Sequence, residues 1–291
     1  MSDEMILLAD SGSTKTDWCL MQRGRGLLGR WSTQGLNPVF LSESEMAAVL
    51  RAELLPAVKT ALSGMDEVLL SRVSFYGAGC LPERVGSVER ALRGVLPLLP
   101  DAIVSVESDL MAACHALAGD EAGIVAILGT GSNSCEWNGS GVVAQVSPLG
   151  FILGDEGSGA VLGRLLVSDL LKNQLPELLR REFLETYSLS PADIITRVYR
   201  QPMPNRFLAS LSPFVASHLE HPGVRRLVTE NFRSFICRNL KQYRYRELPV
   251  HFCGSVAWVY RAQLEEVCRE EDLLVGRIVR NPLERLVERY N

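Results

Sequence analysis

Two short stretches, Gly12–Trp18 (GSTKTDW) and Gly131–Trp137 (GSNSCEW), share Gly, Ser, an acidic residue and Trp at the same spacing. Each follows an apolar run, MILLA before the first and GIVAIL before the second, and each leads into a hairpin. Small residues at a strand-to-strand turn let backbone N–H groups point at an anion without interference from side chains. A chain that carries this device twice predicts two related halves. Two such turns facing each other across a cleft would hold a polyphosphate from both sides. Taken singly, either turn reads as a β-hairpin with a glycine corner. The common nucleotide loops do not fit. GSTKT lacks the first glycine of G-x-x-x-x-G-K-[ST]. In YGAGCLP, Pro82 stands where G-x-G-x-x-G needs its third glycine.

The pattern around the turns predicts an α/β fold. DWCLMQ and LLGRWS flank Gly24-Arg25-Gly26 as a hairpin. Ser42 with Glu45 forms a capping box ahead of Met46, Val49, Leu50 and Leu54 at helical spacing. RVSFYGAG reads as a strand, PERVGSVERALRGV as a helix, and AIVSVESD as a strand running into the helix LMAACHAL. After Leu117 the pattern restarts with GIVAIL and an Asn138-Gly139 turn. Gly157 to Tyr243 is mostly helical, broken at five prolines; PVHFC is a late strand, followed by the helix AWVYRAQLEEVCRE. Strands separated by helices predict α/β layers.

Composition excludes several classes. The 291 residues are 47% hydrophobic and 22% charged, with a net charge of -4, so no basic footprint for nucleic acid exists. No apolar run is long enough to span a bilayer. The first apolar run follows Asp3 and Glu4 with no basic segment before it, so a secretory signal is not expected and the cytoplasm is the expected location. The seven cysteines form no C-x-x-C pair and most sit in apolar runs, which predicts buried free thiols.

Two carboxylates stand out. Asp10 ends a buried strand beside the first turn, where it could hold hydrated Mg2+ or cap its own turn. Asp109 follows AIVSV and opens a helix, where it could accept a hydroxyl proton or merely suit the helix dipole. Lys15 could neutralise phosphate or be an exposed hairpin lysine. His115 reads as packed, and His218, His221 and His251 lack metal-ligand spacing.

DSGSTKT, ILGTGSNS, GFILGDEGSG and FCGSVA, in that order, resemble the acetate-and-sugar-kinase, heat-shock-chaperone and actin superfamily. Within it the chain resembles the BadF/BadG/BcrA/BcrD ATPase family, in its N-acetylglucosamine kinase-like branch. The resemblance implies two duplicated ribonuclease H-like (actin-like ATPase) domains, 1–113 and 114–291, with mixed sheets flanked by helices and an interdomain cleft. It implies ATP and Mg2+ as ligands and an amino sugar as acceptor. Asp10, Gly12, Ser13, Thr14 and Lys15 would form the first phosphate segment, with Asp10 on the metal. Gly129, Thr130, Gly131 and Ser132 would form the second, and Gly254, Ser255 and Ala257 the adenosine segment. Asn37, Gly79, Asp109, Gly150, Asp155 and Glu156 would face the sugar, with Asp109 as base. A homodimer is implied as well. Leu149 departs from the Trp that animal N-acetylglucosamine kinases carry before the glycine matching Gly150, and an aromatic there would stack on a sugar face.

Two other readings share this scaffold. An ATP-driven activator of a dehydratase needs a cluster-ligating cysteine in the glycine motif, and GDEGSG has none. A non-catalytic sugar or nucleotide sensor could lose Asp10 or Asp109, and both are present.

Overall fold

A computed structural model describes residues 4–12, 14–63 and 69–291. The chain forms two compact units: Met1–Gly119 with Pro282–Asn291, and Asp120–Asn281.

The first unit is built on a five-stranded sheet. Its strands are β1 (Met5–Ser11), β2 (Lys15–Gln22), β3 (Gly26–Gln34), β4 (Leu70–Gly77) and β5 (Leu98–Ser108), in the order β3-β2-β1-β4-β5. β1 is antiparallel to β2 and parallel to β4, so the sheet is mixed. A central strand covered on both faces must be apolar throughout, which is why β1 reads as a continuous run. The β2–β3 hairpin turns at Gly24 and Gly26, both at positive φ (78° and 85°), as tight hairpins demand. On one face, Leu7, Ala9, Trp18 and Phe75 pack beneath the helices Glu43–Val49 and Pro82–Arg93. The Ser42 hydroxyl accepts from Glu45 N, and the Glu45 carboxylate accepts from Ser42 N, so the capping box is formed. That helix widens into a π-type turn over Leu50–Leu54 just before Pro56, which has no N–H to donate. On the other face, Ile6, Leu8, Cys19, Met21 and Tyr76 pack with Ala112, Leu283 and Leu286.

The second unit repeats the design. Its strands are β6 (Ala122–Leu128), β7 (Ser132–Asn138), β8 (Val142–Val146), β9 (Val250–Cys253) and β10 (Val275–Val279), in the order β10-β9-β6-β7-β8. Read outward from the first strand of each unit, both sheets have the same order and the same senses of pairing. A long helical stretch separates β8 from β9. Its helices Gly159–Leu171 and Pro222–Arg238 pack Leu166, Phe232, Phe235 and Ile236 onto Ile124, Ala126 and Leu128 of β6. Among the described residues, no helix is long and apolar enough to cross a membrane.

Three findings differ from the sequence reading. The division at 113/114 falls inside a continuous helical run, Asp109–Ala113 extended by Cys114–Ala118, and that run stays with the first unit. The C-terminal helix Leu283–Tyr290 returns to the first unit because Leu283 and Leu286 complete its core. The repeated letters are also not a structural register. Trp18 stands opposite Ala9, near the turn, whereas Trp137 stands opposite Gly123, at the far end of its hairpin. The duplication is carried by strand order and turn placement.

The docking of the C-terminal helix rests on fully buried Leu286. Leu286→Ala is expected to cost about 2–5 kcal/mol of stability, read by urea unfolding. A loss below about 1 kcal/mol would show that the helix contributes little to this core.

Candidate active site

In the first unit, three strand ends lie side by side. The register places Ser11 of β1 opposite Gly77 of β4, and Gly77 opposite Ser108 of β5. Asp10 therefore sits one residue back from the sheet edge, and Asp109 one residue beyond it, across the intervening β4. Asp17 stands directly opposite Asp10 on β2. Alternation puts Asp10 on the same face as Ile6 and Leu8, and Asp17 with Cys19 and Met21, so the two carboxylates share a face.

The turn after β1 is closed by Gly12 N donating to Lys15 O at 2.9 Å, and Gly12, Thr14 and Lys15 are exposed. Ser13 lies outside the described residues. The Lys15 ammonium pairs with Asp17 at 2.9 Å, and Ser32 Oγ donates to the other Asp17 oxygen at 2.5 Å. The buried hydroxyls of Ser11 and Thr16 meet at 2.7 Å, and Leu36 N donates to both, at 3.1 and 3.2 Å. That bond ties the base of the turn to the loop carrying Asn37.

Asn37 and Gly79 meet. Asn37 is buried and its Oδ1 accepts from Val39 N at 2.9 Å. Gly79 has φ of 78°, and a Cβ there would lie 2.3 Å from Asn37 Oδ1, so this approach requires glycine. Cys80, just beyond, is close enough to Asp109 for that carboxylate to add to the burial that pushes its thiol up to about 12.

In the second unit the turn Gly129–Gly131 is closed by Gly129 N donating to Gly131 O at 2.9 Å. Thr130 is exposed and Ser132 buried. The GDEGSG loop wraps directly onto this turn. Gly159 N donates to Gly129 O at 2.8 Å and Ala160 N to Thr130 O at 3.1 Å. The Asp155 carboxylate accepts from Ser132 N at 3.3 Å, and a Cβ on Gly131 would come within 3.0 Å of it. Asp155 itself holds a left-handed backbone (φ 54°), as does Leu149 (φ 61°), with Gly150 between them in sequence at φ 76°. Backbone strain of this kind concentrates at functional loops. The Glu156 carboxylate pairs with Arg238 at 2.7 Å, so this residue is engaged in anchoring the loop. Gly254 (φ 117°) crosses so close to Leu128 that a Cβ would lie 2.3 Å from its carbonyl oxygen. Ser255, exposed, then opens a short helix in which Ala257 is fully buried. The structure thus gathers Gly129, Thr130, Gly131, Ser132, Asp155, Gly254 and Ser255 at the ends of β6 and β9.

Sequence reasoning missed two residues. Asp17 shows in the sequence only as the acidic residue of the repeat. Asn231, on the helix Pro222–Arg238, is buried, and its amide spans the loop: Oδ1 accepts from Gly157 N at 2.9 Å and Nδ2 donates to Ser158 O at 3.1 Å. Its only signal in the sequence is one amide among Leu227, Val228, Phe232 and Phe235 on an otherwise apolar face.

The electrostatics follow from this packing. Burial, then the charges of Asp109 and Asp17, push Asp10 up to about 7, while Lys15 pulls the other way. Burial also holds Asp109 above the usual carboxylate range, against the Leu110 N–H that stabilises its anion. Asp155 is pushed up to about 6, chiefly by burial. Among the described residues no group of three or more His, Cys, Asp or Glu side chains is placed to hold a metal. Asp10 alone, with phosphate oxygens and water, matches the sparse protein ligation of Mg2+.

A carboxylate whose folded pKa lies above its unfolded value binds protons more tightly in the native state. Stability is therefore lost as pH rises from the unfolded value, 3.8, to the folded one, about 7. Asp10→Asn is expected to melt higher than the parent chain at pH 8, the gap closing as pH falls towards 4. Equal melting temperatures at pH 8 would contradict this account of Asp10.

No protein-family profile matches the chain, and no curated protein matches it. Solved structures do. A Porphyromonas gingivalis protein provisionally named an N-acetylglucosamine kinase is 49% identical, with 98% of each chain covered and a TM-score of 0.92. A Chromobacterium violaceum protein with the same provisional name is 19% identical over 99% of each chain, with a TM-score of 0.75. A ROK family glucokinase from Streptomyces griseus, solved with glucose and AMPPNP, is 18% identical over 97% of each chain, with a TM-score of 0.53. The last two share the fold. With its duplicated mixed sheets and its 49% identity to the first, the chain belongs to the family of the Porphyromonas gingivalis protein, within the sugar-kinase ATPase superfamily.

Proposed function

We propose that this protein is an ATP-dependent kinase of an amino sugar, with N-acetylglucosamine as the leading acceptor. The reading is that of the BadF/BadG/BcrA/BcrD family in its N-acetylglucosamine kinase-like branch. The observation that carries it is the placing of Asp10 and Asp109 at strand ends on either side of β4, close enough for the Asp109 charge to raise the proton affinity of Asp10, on the sheet edge that leads to Asn37 and Gly79.

In this reading the acceptor hydroxyl attacks the γ-phosphorus as the bond to the β–γ bridging oxygen breaks. The hydroxyl proton passes to Asp109, and ADP leaves with the bridging oxygen. Burial suits Asp109 to the task, because a carboxylate with raised proton affinity is a stronger base. Bound Mg2+ would neutralise charge on the transferring phosphoryl group. Asp10 would hold it, and the excess of negative charge around Asp10 favours a cation there. The turns after β1 and β6 would engage the phosphates, through backbone N–H groups such as those of Thr14, Thr130 and Gly131, with Gly254 and Ser255 on the adenosine. Asn37, Gly79 and Gly150 would line the acceptor, with Asp155 and Glu156 supporting the loop. Lys15, held by Asp17, would shift onto phosphate at little cost, since a partly exposed ion pair is worth about 0–1 kcal/mol. A homodimeric state and a cytoplasmic location complete the reading.

The test is ADP release from Mg·ATP with a panel of amino sugars, each against a blank without sugar. ADP formation that depends on N-acetylglucosamine is expected. Asp109→Asn is expected to lower kcat roughly 100- to 10,000-fold with ADP binding retained. Sugar-independent hydrolysis, or full turnover in the Asp109→Asn chain, would remove the assignment.

A further inference from the structure

Asn231 lies outside every motif, in the middle of a helix whose inward face is otherwise apolar. Asparagine is a poor choice for a helix interior, and a buried amide is costly unless both its ends are satisfied. Here both ends are satisfied by one stretch of backbone, the Gly157 N–H and the Ser158 carbonyl. Leucine would suit the core better. An amide in this place serves the loop.

What the loop does next makes the contact consequential. Gly157 has φ of 79°, and a Cβ there would come within 3.0 Å of Leu128 and Phe235, so any other residue would be both strained and crowded. Ser158 caps the helix Gly159–Leu171 by accepting from Val161 N at 3.2 Å. The first N–H groups of that helix, from Gly159 and Ala160, are the ones that hold the carbonyls of Gly129 and Thr130. Two residues upstream of Gly157, the Asp155 carboxylate accepts from Ser132 N. The turn Gly129–Ser132 is therefore gripped from both sides by residues 155–160, and Asn231 grips the middle of that segment.

Resting on the kinase reading above, we infer that Asn231 is a positioning residue for the nucleotide. It fixes residues 155–160, and through them the turn Gly129–Ser132, whose Thr130 and Gly131 N–H groups would meet the phosphates. It touches neither nucleotide nor acceptor. Because the same segment carries Asp155 and follows Gly150, this amide also links the acceptor-side loop to the phosphate turn as one mechanical piece.

The test uses the full chain and needs no acceptor. Asn231→Asp keeps the size and the acceptor for Gly157 N, but sets an oxygen against the Ser158 carbonyl. Asn231→Ser, too short to reach both groups, is the second variant should the first fail to fold. Calorimetric titration with Mg·ADP is expected to show Kd raised at least tenfold. Amide hydrogen exchange at Gly159 and Ala160 is expected to quicken, while the exchange of β6 stays as in the parent. A purely structural role would lower the melting temperature and leave Kd for Mg·ADP unchanged in the folded protein; that result overturns the inference. A parent chain that binds no Mg·ADP would overturn the kinase reading and the inference together.

Discussion

The parallel ladder from β1 through β4 to β5 is the arrangement on which the candidate site depends. It sets Ser11, Gly77 and Ser108 level with one another, so that the chain leaves all three strands at one edge of the sheet. Parallel strands must be joined by crossovers; here the crossover helices Glu43–Val49 and Pro82–Arg93 cover one face, and the helices Asp109–Ala113 and Leu283–Tyr290 cover the other. Covered faces leave the strand ends as the place where backbone and polar side chains reach the surface. Asp10, Gly79 and Asp109 lie along that edge because the ladder has no slack: a slip by one residue would turn Asp10 to the opposite face.

The same logic recurs in the second sheet, and there the turn is restrained by backbone. In the first unit, Leu36 N ties the base of the turn to the Asn37 loop through two hydroxyls. In the second, Gly159 N and Ala160 N tie the turn to the GDEGSG loop through carbonyls. Each unit thus joins a turn proposed to bind phosphate to a segment proposed to face the acceptor. Phosphoryl transfer suits such construction, since positioning supplies much of the rate when the protein forms no covalent bond of its own. The two turns are built from different chemistry, yet reach the same end, which is the mark of a duplicated plan filled in separately.

Much of this was legible in the sequence, for identifiable reasons. β1 and β6 showed as apolar runs because central strands are buried on both faces. The hairpins at Gly24–Gly26 and Asn138–Gly139 showed because their turns demand positive φ. Six cysteines are buried and Cys237 is exposed, in keeping with the apolar runs that most of them occupy. Glycine and acidic motifs exposed the turns and the GDEGSG loop. β10, with its half-exposed VGRIV, carried no clear period, and the C-terminal helix declared no preference between units. The Trp repeat misled because matching letters do not fix a register; hydrogen-bond pairing does. Asp17 and Asn231 were invisible for the same reason. Their partners lie across a strand pair and across a long helical stretch, and neither distance is written in local sequence.

The charges around Asp10 show what this arrangement costs and why it persists. Asp109 and Asp17 both oppose its ionisation, and Lys15 alone relieves it. Opposed like charges on one face of a strand pair destabilise a sheet, so this placement weakens the folded chain at neutral pH. A stabler protein would replace one carboxylate. The chain keeps all three, and Asp10 and Asp109 are held with raised proton affinity. A divalent cation and a polyphosphate would relieve the opposition on arrival. In the kinase reading, stability lost to this placement would return as binding, most of all with a ligand that brings the cation and the phosphates together.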